Sequence, residues 1–252
     1  MPHPLRLRQV CLAAPRLEPV VDDLQAILGL QVCHRDPGLI AYGLENALLP
    51  VGSDFIEVVA PVQADTAAGR FIRRSRGHGG YMAIFQCDDP RAGQARATAL
   101  GVRTAHEIDR PDYQSVQLHP RDCRAAFIEL GHSPGGDDRA TGTWWPAGPH
   151  WQAGVHTAVT RRLLGITLEG PEPAALLAHW AAILGLPVDA AALQVDGTAI
   201  SAEPGPADAL GALDLAVADV DAVLDRAVDR GHRVQGAGFH LSGVHLRLHA
   251  AD

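Results

Sequence analysis

Apolar positions along this chain switch between two periods, and the switches mark elements. Arg6 to Ala13 carries closely spaced β-formers and reads as a strand. Pro15 to Pro19 turns the chain into a helix, where Val20, Val21, Leu24, Ile27 and Leu28 fall on one face. Gly29 follows, in the position where a left-handed cap is common. Gln31 to His34 predicts a strand, Asp36-Pro37-Gly38 a turn, and Ala41 to Val51 and Phe55 to Ala60 two more strands joined through Gly52-Ser53-Asp54. The order is β-α-β-β-β.

The order then recurs. After a connector, Pro61 to Gly77, with a short helix bearing Arg70, Arg73, Arg74 and Arg76, a strand is expected over Gly80 to Cys87. Asp88-Asp89-Pro90 opens a helix with an acidic first turn, and Gly101 stops it. Val102 to Glu107, Tyr113 to His119 and Ala125 to Leu130 complete the second module, with Pro120-Arg121-Asp122 as its last hairpin turn. Residues 133–160 are rich in Gly, Pro, Asp and Trp. They read as an ordered linker anchored by Trp144, Trp145 and Trp151, because a disordered tail is poor in such residues.

The remaining residues, 161–252, repeat the first half in shortened form. Ala182 to Val188 differs from Ala26 to Val32 only in having Pro187 where the first copy has Gln31. Leu213 to Gly231 mirrors Gly80 to Gly101. Four modules are therefore expected, first matched to third and second to fourth. The domains are residues 1–132, the linker, and 161–252.

Within the repeat, Phe55-Ile56-Glu57-Val58 is echoed by Phe127-Ile128-Glu129-Leu130. A carboxylate in such an apolar strand is costly to bury without a partner. Two at matching places suggest one shared polar cavity; the alternative is an outward-facing pair on an amphipathic sheet.

Composition narrows the function. A net charge of −8 with only 21 basic residues argues against broad nucleic-acid binding. No apolar run reaches membrane-spanning length, and Met1 to Arg6 lacks the features of a secretion signal. Cys11, Cys33, Cys87 and Cys123 form no CxxC pair, so a cytoplasmic protein without disulfides is expected.

Paired βαβββ modules, each with a glutamate on its fourth strand, resemble the vicinal oxygen chelate superfamily of glyoxalase I, methylmalonyl-CoA epimerase, extradiol dioxygenases and bleomycin-resistance proteins. The residues carrying the resemblance are Leu7 to Leu12, Phe55 to Pro61, Tyr81 to Asp89 and His119 to Leu130. It implies an α+β fold: four βαβββ-type modules forming two paired-module half-open barrels, the second half abbreviated. Its metal ligands carry over to Gln9, Glu57, Met82 and Glu129. Gln9, Glu57 and Glu129 suit a divalent ion (Zn, Mn, Ni, Co, Mg or Fe), whereas the Met82 thioether departs from the usual histidine. The implied activity is a metal-dependent lyase or isomerase on a small oxygenated substrate, with Glu57 or Glu129 as general base. The alternative is a metal-free protein that sequesters a small molecule. An extradiol dioxygenase fits less well, since it needs two histidines.

If His119 pairs with Ala125, alternation places Ser115, Gln117 and His119 on the face of Glu129, with Met82 and Phe127 as further substrate-binding lining. A one-residue slip would reverse this, and a hairpin histidine also commonly caps a turn. His78, before the Met82 strand, is either a ligand or a solvated loop residue. The arginines from Arg70 to Arg76 suit an anionic substrate or a solvated helix face. In the second half the equivalent positions, Gly165, Ile200, Leu213 and Arg247, make no metal site. A homodimer is compatible with the family but not required, since each module pair can close within the chain.

Overall fold

The computed structural model describes residues 5–187 and 192–251. The expected features at Met1 to Pro4 and at Val188 lie outside the described residues. The first half forms β1 (Arg6–Ala13), α1 (Leu17–Leu28), β2 (Leu44–Val51), β3 (Asp54–Pro61), α2 (Ala67–Arg74), β4 (Gly80–Gln86), α3 (Pro90–Ala99), β5 (Thr104–Asp109), β6 (Gln114–Leu118), α4 (Pro120–Cys123) and β7 (Phe127–His132). The second half forms β8 (Thr160–Gly170), α5 (Pro173–Leu184), β9 (Ala192–Val195), β10 (Thr198–Pro204), β11 (Ala209–Val217), α6 (Val220–Asp229), β12 (Gly238–Leu241) and β13 (Val244–Ala250).

These strands make two open mixed sheets, ordered β2-β3-β1-β4-β7-β6-β5 and β12-β13-β11-β8-β10-β9. The class is α+β with paired modules, as the repeat implied. Among the described residues the second module has four strands and each module of the second half has three. The strand expected at Gln31 to His34 is reduced to an isolated bridge between His34 and Leu48. The turn at Asp36-Pro37-Gly38 instead opens a 3-10 helix, Pro37–Tyr42, with the Asp36 carboxylate accepting from the Gly38 amide. A side chain that satisfies its own backbone competes with strand pairing.

Contacts divide the chain into two compact units. One comprises Met1–Gln9, Met82–Trp145 and Gly165–Gly211; the other Val10–Tyr81, Pro146–Leu164 and Ala212–Asp252. Each joins a module of the first half to a module of the second, and both use the same joint. In the first unit Arg96 of α3 donates to the carbonyls of Ile183 and Leu184 at the end of α5 (2.8 and 3.1 Å). In the second, Arg226 of α6 donates to the carbonyl of Ile27 at the end of α1 (2.9 Å). A cation at a helix C-terminus satisfies orphan carbonyls and complements the dipole. The repeated Ala-Ile-Leu-Gly-Leu run is thus the helix end that receives an arginine, with Gly29 and Gly185 both left-handed caps.

The loop before β4 is structural. In the second unit the Gly79 amide donates to the Ser242 carbonyl (2.7 Å), and the Gly79 carbonyl accepts from Ala13 (2.7 Å). His78 Nδ1 accepts from the Gly80 amide (3.3 Å). Burial, and next the nearby His240, hold the His78 imidazole below its ordinary range. The unfolded chain therefore binds this proton more readily, so His78 costs stability as pH falls below about 6.5. The urea midpoint should drop between pH 7.5 and 5.5, and drop less in His78→Gln. An equal drop in both proteins would contradict this.

Among the described residues the cysteines form no disulfide. Burial pushes the Cys33, Cys87 and Cys123 thiols up to about 12, which leaves them protonated and unreactive.

Candidate functional site

In the first unit, β4 and β7 run parallel with Met82 beside Phe127 and Ile84 beside Glu129. β6 runs antiparallel to β7 with Gln117 opposite Glu129 and Ser115 opposite Gly131. Alternation then places Met82, Phe127, Glu129, Gly131, Ser115 and Gln117 on one face. The opposite face carries Leu130, which meets α3 at Gly93.

Glu129 is 4 % exposed. Its two oxygens accept from Tyr113 Oη (2.8 Å) and Gln117 Nε2 (2.9 Å). A buried carboxylate needs such donors, because desolvation otherwise drives it to its neutral form. Tyr113 is itself buried, and burial, followed by the Glu129 charge, raises its phenol well above the ordinary range; the Ser115 hydroxyl acts weakly the other way. Neutralising Glu129 should therefore lower that phenol's pKa. An alkaline titration followed at 295 nm should show one tyrosine of three moving down in Glu129→Gln. Unchanged curves would break the assigned coupling.

The linker closes on this site. Trp144 is fully buried, donates its indole N–H to Gln9 Oε1 (2.8 Å) and meets Tyr113 edge to face at 5.8 Å. The Arg8 guanidinium lies 5.7 Å from the centroid of the same indole. Trp145 stacks on Tyr113 at 5.2 Å and donates to Asp112 (2.9 Å). The expected anchors thus hold polar side chains of the candidate site as well as the linker.

In the second unit, Glu57 is 9 % exposed and accepts from Asn46 Nδ2 of β2 (2.6 Å). Asn46 Oδ1 in turn accepts from the Asp36 amide (2.8 Å). Tyr81 is buried nearby; burial raises its phenol, helped by Cys11 and by the Glu57 charge. Each glutamate is thus held by an amide from the adjacent strand, Asn46 for Glu57 and Gln117 for Glu129. Trp151 packs edge-on against Phe55 at 5.2 Å.

Of the residues expected at the site, Met82, Ser115, Gln117, Phe127 and Glu129 share one face. Gln117 stands directly opposite Glu129, two residues from the expected register, and an even shift keeps the face. His119 leaves it: its ring accepts from the Arg121 amide (3.3 Å) and caps α4. Gln9 is engaged by Trp144, and Glu57 lies in the other unit. Tyr113, Asn46 and the Trp144 indole are polar partners that the sequence reading did not assign. Ile200 and Leu213, at the equivalent positions of the second half, are fully buried apolar residues.

The donor set suits a chelated divalent ion poorly: Met82 offers a soft thioether, and among the described residues no group of three or more His, Cys, Asp or Glu side chains is placed to hold a metal.

An open sheet of paired βαβββ modules with strand-borne glutamates defines a vicinal oxygen chelate fold. A model of the glyoxalase-like domain matches residues 10–184, and the chain belongs to that family. Among solved structures, a hypothetical protein from Staphylococcus aureus shares 11 % identity over 98 % of this chain and 99 % of its own, with a TM-score of 0.65. Methylmalonyl-CoA epimerase from Streptomyces coelicolor, as a variant in complex with 2-nitronate-propionyl-CoA, is 25 % identical over 51 % of this chain and 96 % of that one, with a TM-score of 0.46. The epimerase from Mycobacterium tuberculosis is 23 % identical over 52 % and 87 %, with a TM-score of 0.44. No curated protein matches the chain.

Proposed function

We propose that this protein binds a small oxygenated molecule on the Glu129 face of the first unit, without a chelated metal. The observation carrying this is a buried carboxylate held by Tyr113 and Gln117, with no group of three or more His, Cys, Asp or Glu side chains among the described residues placed to hold a metal. A carboxylate offers about four acceptor positions, and these two donors fix its orientation. Glu129 can accept a hydrogen bond from a ligand hydroxyl, while Met82 and the half-buried Phe127 supply apolar contact beside it. Small-molecule sites combine apolar lining with a few fixed polar groups.

The Glu129–Tyr113 pair also supports a second, catalytic reading. A carboxylate hydrogen-bonded to a phenol can take a proton from an acidic carbon of the bound molecule, and the phenol then stabilises the charge that develops elsewhere on it. That is isomerase-type chemistry carried out by side chains alone. No described helix is long and apolar enough to cross a membrane.

The test is equilibrium binding of a panel of hydroxy acids, diols and planar phenols in excess EDTA. At least one class should bind with chelator present and bind about tenfold more weakly to Glu129→Gln, the loss of one charged hydrogen bond. Binding that appears only after a divalent ion is added would overturn the reading.

A further inference from the structure

The last hairpin of the second unit carries a pair of histidines. His240 of β12 stands directly opposite His245 of β13. The turn between the strands has only Ser242 and Gly243 at its centre, both left-handed (φ 49° and 73°), as a type I′ hairpin requires. The Ser242 carbonyl accepts from the Gly79 amide (2.7 Å), so the turn is also fastened from outside the hairpin. With turn and register both fixed, the two imidazoles stack, their centroids 4.7 Å apart and their planes inclined by 14°.

Both rings present the same nitrogen to one residue. His240 Nε2 lies 3.2 Å from Gln235 Oε1, and His245 Nε2 lies 3.2 Å from the Gln235 carbonyl oxygen. The segment bearing Gln235 is tied down on both sides. The Gln235 amide donates to the Gly238 carbonyl (2.9 Å), and the His240 amide donates to the Arg233 carbonyl (3.1 Å). Gly238 leaves room for the second ring, since a Cβ there would stand 2.5 Å from His245 Nε2. Two other histidines of this unit meet carboxylates instead: His232 Nε2 meets Asp23 (2.9 Å), and His249 Nε2 meets Asp214 (2.8 Å).

A carbonyl oxygen only accepts, so His245 donates its Nε2–H to Gln235. Moving the ring proton to Nδ1 exposes the Nε2 lone pair. The same two nitrogens and two oxygens then become donors to a cation. Their 3.2 Å separations match the gap between neighbouring ligands, about 3.0–3.4 Å, around an ion with bonds of about 2.1 Å. The two rings are half-buried and Gln235 is exposed, so an ion reaches them directly from water.

We propose that His240 and His245, with the Gln235 oxygens, form a binding site for one borderline divalent ion of the zinc and nickel class. Imidazole ligands select such ions over magnesium, which keeps to oxygen. Water completes the shell, because the protein supplies only two nitrogens. The ion clips β12 to β13. None of its ligands belongs to the Glu129 face, so the two sites load independently.

The experiment is calorimetric titration of the metal-free full chain with zinc, nickel and magnesium chlorides. Zinc and nickel should each bind at one ion per chain, and magnesium should not. His240→Gln and His245→Gln should each weaken zinc binding about tenfold or more, the loss of one of two nitrogen ligands. His249→Gln and Glu129→Gln should bind zinc as the parent does, which separates this site from its neighbours and from the Glu129 face. A second readout needs no variant: paramagnetic nickel should broaden the ring-proton NMR signals of His240 and His245 before those of His249. The proposal is overturned if neither zinc nor nickel binds at about 1 mM, if magnesium binds as tightly, if both pair variants bind like the parent, or if nickel broadens His249 first.

Discussion

Replacing Trp144 with alanine should destabilise the protein by about 3–5 kcal/mol, the range for truncating a large buried aromatic. Burial and two contacts place the loss at the upper end. The indole is completely buried, it meets Tyr113 edge to face, and its N–H satisfies the amide oxygen of Gln9. Alanine leaves a cavity and also removes a buried hydrogen bond. Trp144→Phe separates the two effects: it keeps most of the ring and removes the donor, so it should cost about 1–3 kcal/mol. Urea unfolding at a constant m-value reads both. A loss under about 1 kcal/mol for the alanine variant would mean that the linker is not fastened to the sheet as described.

The second large effect is expected at Gly131. A Cβ there would sit 2.5 Å from the Tyr113 hydroxyl and 3.1 Å from the ring carbon that bears it. The first distance is prohibitive and the second tight, so Gly131→Ala must shift the phenol against Glu129. Overpacking together with a lost buried hydrogen bond predicts about 1–3 kcal/mol of destabilisation. The readout that isolates the cause is the double variant. Tyr113→Phe removes the atom nearest the new methyl group, so adding it to Gly131→Ala should cost much less than Tyr113→Phe costs alone. Additive losses would show that the alanine acts elsewhere.

Much of this arrangement is legible in the order of residues. The two Phe-Ile-Glu runs locate both buried carboxylates. The Ala-Ile-Leu-Gly-Leu repeat matches the first module to the third, whereas the compact units join the first to the fourth and the second to the third. The alternation that selects Ser115, Gln117 and His119 also contains Tyr113, two residues earlier in the same phase. Tyr113 opens the expected strand, Tyr113 to His119, but an aromatic ring in a strand reads as apolar lining and not as a hydrogen-bond partner; β6 itself begins at Gln114. His119 errs the other way. It has the correct phase, but Pro120 makes the next residues a short helix, and the imidazole caps it. The hold of Trp144 on Gln9 joins residues far apart in the chain, and no local pattern encodes a contact of that range. Three tryptophans in a polar linker signal burial without naming what they bury against.

The most direct test of a site held together by its own hydrogen bonds is a titration of the purified protein with Zn, Mn, Ni, Co and Mg after chelation, alongside Glu129→Ala and Gln9→Ala. The account predicts that no ion binds the parent more tightly than it binds either variant. One ion bound per chain in the parent, and lost in both variants, would contradict it.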